Sequence, residues 1–180
     1  HAMADGIAEL RTRLDRLEAT EACRCTFHEY LHYLDAGLHD ELLQVFAPEG
    51  RLEVMNFPPN SGEDLRFNGR SEIATLYAGV TMATTRHYSA NVSVNVNADA
   101  SRADLSAYFL AVMTYGLMGG IYELTLAPVE NRWRIESMRI SSTTGWMIQQ
   151  EAPPFLANPL AAGTLRGGRP AVVGAPSSRS

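Results

Sequence analysis

The chain has 180 residues, a formal net charge of −5 and a sequence pI near 5.5. Its 46% hydrophobic content is ample for one packed core, and its acidic balance argues against nucleic-acid binding, which needs a clustered basic patch. All 15 basic residues are arginine, which excludes Schiff-base, pyridoxal-phosphate and P-loop lysines as well as any lysine general base.

In chain order, His1-Ala2-Met3 reads as a tag scar, and no charged-then-apolar leader follows. Ile7, Leu10, Leu14 and Leu17 recur at helical spacing, with Asp5 as N-cap. Thr20 predicts a kink, after which the helix runs to about Ala36 and ends at Gly37. Cys23 and Cys25 lie two apart on different faces of this helix and cannot pair with each other. They read as core residues rather than as a CxC metal site, and a reduced, cytoplasmic protein is expected. Residues 40–46 predict a short helix stopped by Pro48-Glu49-Gly50, residues 51–57 a strand, and Pro58 to Gly62 a loop. A short strand over 65–67 precedes a helix capped by Ser71 that runs to about Met82.

The remainder is strand-rich. Residues 85–97 alternate, with Tyr88, Ala90, Val92, Val94 and Val96 on one face and His87, Ser89, Asn91, Ser93 and Asn95 on the other. Residues 102–115 predict a long strand broken by Gly116 and Gly119-Gly120. Residues 121–127 and 132–142 predict a hairpin around Glu130-Asn131. Helices first and long antiparallel strands afterwards argue an α+β fold over residues 4–150. Residues 151–180 form a separate Pro/Gly-rich segment, a disordered tail or a docked arm. No apolar run approaches the roughly 20 residues that span a bilayer.

Two places carry candidate chemistry. Projected at about 100° per residue, Leu10, Leu14 and Leu17 share a stripe with Glu21, His28, His32 and Asp35. The stripe starts apolar and ends ionisable, so its end either reaches solvent or lines a polar cavity. His28-Glu29-Tyr30-Leu31-His32 also matches the HExxH pattern of zinc hydrolases, with Asp35 one further turn on, but no third ligand stands at a recognisable spacing. The second place is His87, at the head of a strand face of Ser and Asn residues suited to a hydrated, partly enclosed cavity.

The succession of segments resembles the SnoaL-like branch of the nuclear transport factor 2-like superfamily, which includes scytalone dehydratase, lindane dehydrochlorinase and polyketide cyclases. The resemblance covers about residues 7–148. Tyr33-Leu34-Asp35-Ala36-Gly37, Leu42 through Gly50, and Asn68-Gly69-Arg70-Ser71-Glu72-Ile73 carry its first half. Thr85-Arg86-His87 with Asn91, Gly119-Gly120-Ile121-Tyr122, and Arg132-Trp133-Arg134-Ile135 carry the rest. It implies a cone-shaped α+β barrel, a curved antiparallel sheet closed by N-terminal helices around a pocket. In the two lyases, a helix-borne aspartate orients a strand-borne histidine that acts as base; Asp35 and His87 match them. Leu34 stands where scytalone dehydratase has a tyrosine. Its second histidine falls near Tyr108, and the dehydrochlorinase lysine has no counterpart.

The expected activity is a cofactor-independent lyase, isomerase or cyclase acting on a small, largely apolar molecule. His87 would abstract the proton and Asp35 would hold the imidazole tautomer. Tyr108 and Tyr122 are the candidate proton donors, Asn91 a polar contact and His32 a second acid. Phe57, Met55, Met113 and Trp146 are candidate apolar walls. The alternatives are a non-catalytic small-molecule binding or assembly domain and a metal hydrolase through residues 28–32. A homo-oligomer, dimer or trimer, associated through the outer sheet face is expected.

Overall fold

The computed structural model describes residues 2–57, 61–79, 85–113 and 116–147. The Pro/Gly-rich segment 151–180 lies outside the described residues. In order, the elements are α1 (Ala2–Ala36), α2 (His39–Gln44), β1 (Phe46–Met55), β2 (Leu65–Asn68), α3 (Gly69–Ala78), β3 (Arg86–Val96), β4 (Ala103–Met113), β5 (Gly116–Val129) and β6 (Arg132–Met147). The strands form one six-stranded curved sheet in the order β2-β1-β6-β5-β4-β3. Every neighbouring pair is antiparallel except β1 and β6, which run parallel. The sheet is therefore not closed into a barrel: β2 and β3 are its two edges among the described residues. Helices cover its inner face.

α1 is continuous through Thr20, whose hydroxyl bonds the Arg16 carbonyl four residues back within an unbroken ladder. Its core face is not the leucine stripe. Ala19, Cys23, Phe27, Tyr30, Leu31 and Leu34 are buried against the sheet, whereas Ile7, Leu10, Leu14 and Leu17 are each at least half exposed. By the 100° step of an α-helix, the two rows lie roughly 150° apart. Asp5 falls inside the first turns rather than at a cap. Gly37, at φ 71°, ends the helix as its sequence indicates, with Leu38 donating its amide to the Tyr33 carbonyl at 2.9 Å. The docked half is fixed where it enters the domain by Thr26 Oγ1 donating to the Trp133 carbonyl (2.8 Å) and by the Arg132–Glu29 ion pair (2.7 Å).

α3 starts two residues ahead of the expected cap. Glu72, in the first turns, accepts the backbone amide of the N-cap residue Asn68 at 2.7 Å, so Ser71 sits inside the first turn. Gly119 and Gly120 do not interrupt β5; they lie within it at a register shift against β6. A Cβ on Gly120 would run into the Ser141 carbonyl oxygen and stand 2.7 Å from Phe109 Cε1, so the missing side chain leaves room for the Phe109 ring. The hairpin around Glu130-Asn131 forms as expected, with φ of 51° and 63°, the signature of a type I′ turn.

The alternation of β3 is the principal departure. The register against β4 passes from Ala90–Tyr108 to Ser93–Ser106, three residues on β3 against two on β4. This is a β-bulge, and Asn91 sits in it at φ 52°. One inserted residue exchanges the two faces. Beyond it Val92, Val94 and Val96 face inward; before it His87 and Ser89 do, while Tyr88 and Ala90 face out. An unbroken alternation would have put Tyr88 inside and His87 outside. A β-branched residue is strained at positive φ whereas glycine is not, so Asn91→Val is expected to lower unfolding free energy by about 1–2 kcal/mol and Asn91→Gly by much less, read from urea denaturation midpoints. Gly120→Ala is expected to be more damaging than Asn91→Val in the same measurement, because backbone rather than a side-chain tip occupies the space.

Candidate active site

Asp35 stands in the last turn of α1, at the border of its buried face, and His87 at the start of edge strand β3. Because the bulge turns His87 inward and Gly37 ends the helix just beyond, the two side chains meet. His87 Nδ1 lies 2.6 Å from Asp35 Oδ1, and the His87 backbone N–H donates to Asp35 Oδ2 at 2.9 Å. The same carboxylate thus takes a free edge-strand amide and the ring. An ionised carboxylate only accepts, so against it Nδ1 carries a proton, and in the neutral ring Nε2 then holds the lone pair. The imidazole is 5% exposed and the Asp35 side chain 17%. Among the described residues, Nε2 has no hydrogen-bond partner. Ala111, the register partner of His87 on β4, is small and buried.

Next to the dyad lies a cluster that sequence reasoning only touched. Tyr30 of α1, Tyr77 of α3 and Tyr122 of β5 are all buried. Tyr30 and Tyr77 share a hydrogen bond of 2.9 Å between hydroxyls, and the Tyr30 and Tyr122 rings meet edge-on with centroids 6.0 Å apart. Burial pushes all three phenols above their ordinary value of 10, and the negative charge of Asp35 adds to the rise at Tyr30 and Tyr122. They therefore remain protonated donors. The signal for Tyr30 and Tyr77 was present in the sequence, as polar-tipped aromatics on the core spacing of two helices, but nothing local says that two helices and a strand bring them together.

The other expected site residues separate into groups. Met113 continues the inward row of Phe109 and Ala111 and is half-buried. Tyr108 points the other way and is 54% exposed on the outer face, since even-numbered positions of β4 face out. Asn91 is exposed and serves the bulge rather than the inner face. His28 and His32 are exposed, on the side of α1 that continues the leucine stripe, so the helix face of HExxH looks into solvent. No cluster of three metal-ligating side chains occurs among the described residues. Met55 has the parity of outward-facing Arg51 and Glu53, opposite to buried Leu52 and Val54, and Phe57 is 39% exposed beyond the strand end. The side chain of Trp146 lies outside the described residues. Cys23 is buried, its thiol pushed up to about 12 by desolvation, and Cys25 is exposed; both are free.

A groove of about 730 Å³ crosses the outer face of the sheet, lined among others by Arg51, Glu53, Arg66, Asp104, Glu123 and Arg139. It contains neither Asp35 nor His87. Glu53 pairs with both Arg66 (3.3 Å) and Arg139 (2.8 Å), and these arginines hold its carboxyl below the ordinary range. The groove is thus a self-neutralised polar surface, and the distinctive chemistry lies on the opposite side of the sheet.

Residues 15–139 match the family model of the SnoaL-like domain, and the chain belongs to that family. No curated protein sequence matches it. Among solved structures it is similar to a provisionally assigned scytalone dehydratase from Novosphingobium aromaticivorans, with 20% identity, a TM-score of 0.64, and 77% of this chain and 93% of that one covered. It is similar also to a hexachlorocyclohexane dehydrochlorinase from Novosphingobium barchaimii, with 16% identity, a TM-score of 0.63, and 79% and 99% covered. An NTF2-like protein with a cystatin-like fold from Novosphingobium aromaticivorans has 21% identity, a TM-score of 0.64, and 81% and 92% covered. These likenesses establish the shared fold. No described helix is long and apolar enough to cross a membrane.

The raised phenols link stability to pH. Each folded-state value lies above the unfolded one, so the folded chain holds these protons more tightly. The stabilising contribution is complete below pH 10 and is lost as pH rises from there towards the folded-state values. Phenolate absorbance from Tyr30, Tyr77 and Tyr122 is expected to appear only together with loss of the near-ultraviolet circular dichroism signal. Tyr30→Phe and Tyr77→Phe each orphan one buried hydroxyl and are expected to cost about 1–2 kcal/mol in thermal or urea unfolding. The double variant should cost less than their sum.

Proposed function

We propose that this chain is a cofactor-independent lyase, isomerase or cyclase in which His87 is the general base and Asp35 its orienting partner, acting on a small, largely apolar molecule. The observation that carries the reading is the two-point grip of one carboxylate on the backbone and ring of a nearly buried histidine. Held this way, Nε2 is an acceptor with a fixed direction. It takes a proton from a carbon or hydroxyl of the substrate, and the imidazolium that results sits against the Asp35 charge and the negative end of α1. No covalent intermediate is needed. The departing group, hydroxide or halide, needs a neutral donor. Tyr122 and Tyr30, protonated and within the field of Asp35, suit that role better than outward-facing Tyr108 or exposed His32. The aromatic and aliphatic inner face around Phe109, Ala111 and Met113 favours an apolar substrate body. Exposed Tyr88, Tyr108, Leu110 and Leu117 on the outer face support association with further copies there.

The activities named for the similar structures supply the first probes. β-Hydroxy ketones, scytalone and hexachlorocyclohexane are to be screened for loss of water or hydrogen chloride. For any substrate turned over, His87→Ala and Asp35→Asn are each expected to lower kcat/KM by at least about 100-fold with an unchanged circular dichroism spectrum. Nitrogen-15 NMR of the ring is expected to show Nδ1 protonated in the wild type and a mixed tautomer in Asp35→Asn. Undiminished turnover in His87→Ala removes the base from the reaction. An Nε2-protonated ring in the wild type removes the geometry that makes it one.

A further inference from the structure

The first half of α1 carries a surface that the candidate site does not use. Every residue from Met3 to Glu18 is exposed, yet Met3, Ile7, Leu10, Leu14 and Leu17 form one apolar row at alternating spacings of four and three. That is the a/d seam of a heptad repeat. It runs for about 21 Å and lies roughly 150° around the helix from the row that packs on the sheet, so the domain's own core cannot cover it. An isolated helix of this length is marginal in water, and Gly6 weakens it further. The helix nevertheless continues without a break into the docked half, which holds the row rigidly away from the cone.

We propose that this segment pairs with the same segment of a second copy as a short parallel, in-register two-stranded coiled coil. The flanking charges select the occupant and its direction. With Ile7 and Leu14 at a and Leu10 and Leu17 at d, Arg13 is a g position and Glu18 the following e position. In a parallel pair each Arg13 faces Glu18 of the partner subunit, and symmetry makes the contact twice. In an antiparallel pair that sets Leu10 against Leu14 of the partner subunit, Arg11 meets Arg11 of the partner subunit and Arg13 meets Arg13 of the partner subunit, two like-charge contacts. The seam stops where it must: the next a position is Glu21, just after Ala19 begins the buried row. This contact is separate from the outer sheet face and brings two cones together side by side at one end of the pair.

The full chain carrying Cys25→Ser with Leu14→Cys tests it, because parallel register places two a-position thiols together. Rapid disulfide-linked dimer under mild oxidation is expected, at least tenfold faster than for Thr12→Cys at the outer f position. Analytical ultracentrifugation is expected to show Leu10→Glu/Leu14→Glu with a lower mass than the wild type. Arg13→Glu should weaken association by roughly two- to fivefold, and adding Glu18→Arg should restore it. Equal crosslinking at positions 12 and 14, or an unchanged mass in the double glutamate variant, overturns the proposal. So does association that appears only after residues 148–180 are removed, which would show that the chain covers its own stripe.

Discussion

The candidate site depends on one carboxylate satisfying two donors at once. β3 is an edge strand, and an edge leaves alternate backbone amides without a ladder partner. The Asp35 carboxylate accepts the amide of His87 and, with its other oxygen, the proton of the ring. The first contact ties the end of α1 to the sheet edge. The second sets the tautomer. Because both use one side chain, the position of the helix and the orientation of the imidazole are a single structural fact.

That contact is possible only because β3 changes face. Asn91 in a left-handed conformation inserts one residue, and the valines beyond it keep the core while His87 and Ser89 ahead of it turn inward. The bulge also explains how a strand with an exposed Tyr88 directly next to the histidine can carry a site. Behind the dyad, the Tyr30, Tyr77 and Tyr122 hydroxyls bring polar tips into a wall otherwise made of Phe27, Phe46 and Phe109. Desolvation keeps them neutral, so they present protons where the carboxylate presents charge. In the polar groove on the far side of the sheet, Glu53 is already neutralised by Arg66 and Arg139.

Much of this was legible in order along the chain. Helices ahead of long strands, the Gly37 stop and the Glu130-Asn131 turn are local: each follows from propensity, a residue that tolerates positive φ, or the spacing of apolar side chains. The pairing of Asp35 with His87 comes from resemblance to SnoaL-like enzymes, the family that residues 15–139 match. Spacing alone did not reach it, since the two residues lie on different elements. The site walls fared less evenly. The inward assignment of Asn91 follows from carrying one alternation through the bulge of β3, whereas that of Tyr108 rests on the resemblance alone, and the regular alternation of β4 turns Tyr108 outward. Met55 and Phe57 were assigned by apolar character, which does not specify a face.

The sequence by itself determined the class of fold, the succession of elements and the presence of an amphipathic row on the first helix, because these arise from local periodicity and turn chemistry. Only the tertiary structure decided which of the two rows on α1 meets the sheet and which stays in solvent, and which side of β3 faces the helices. It alone decided that one strand pair runs parallel, and that three tyrosines from three elements converge. Each of those choices compares burial of whole faces against one another. A comparison of that kind sums contacts between residues far apart in the chain, and no window along the sequence contains both sides of it.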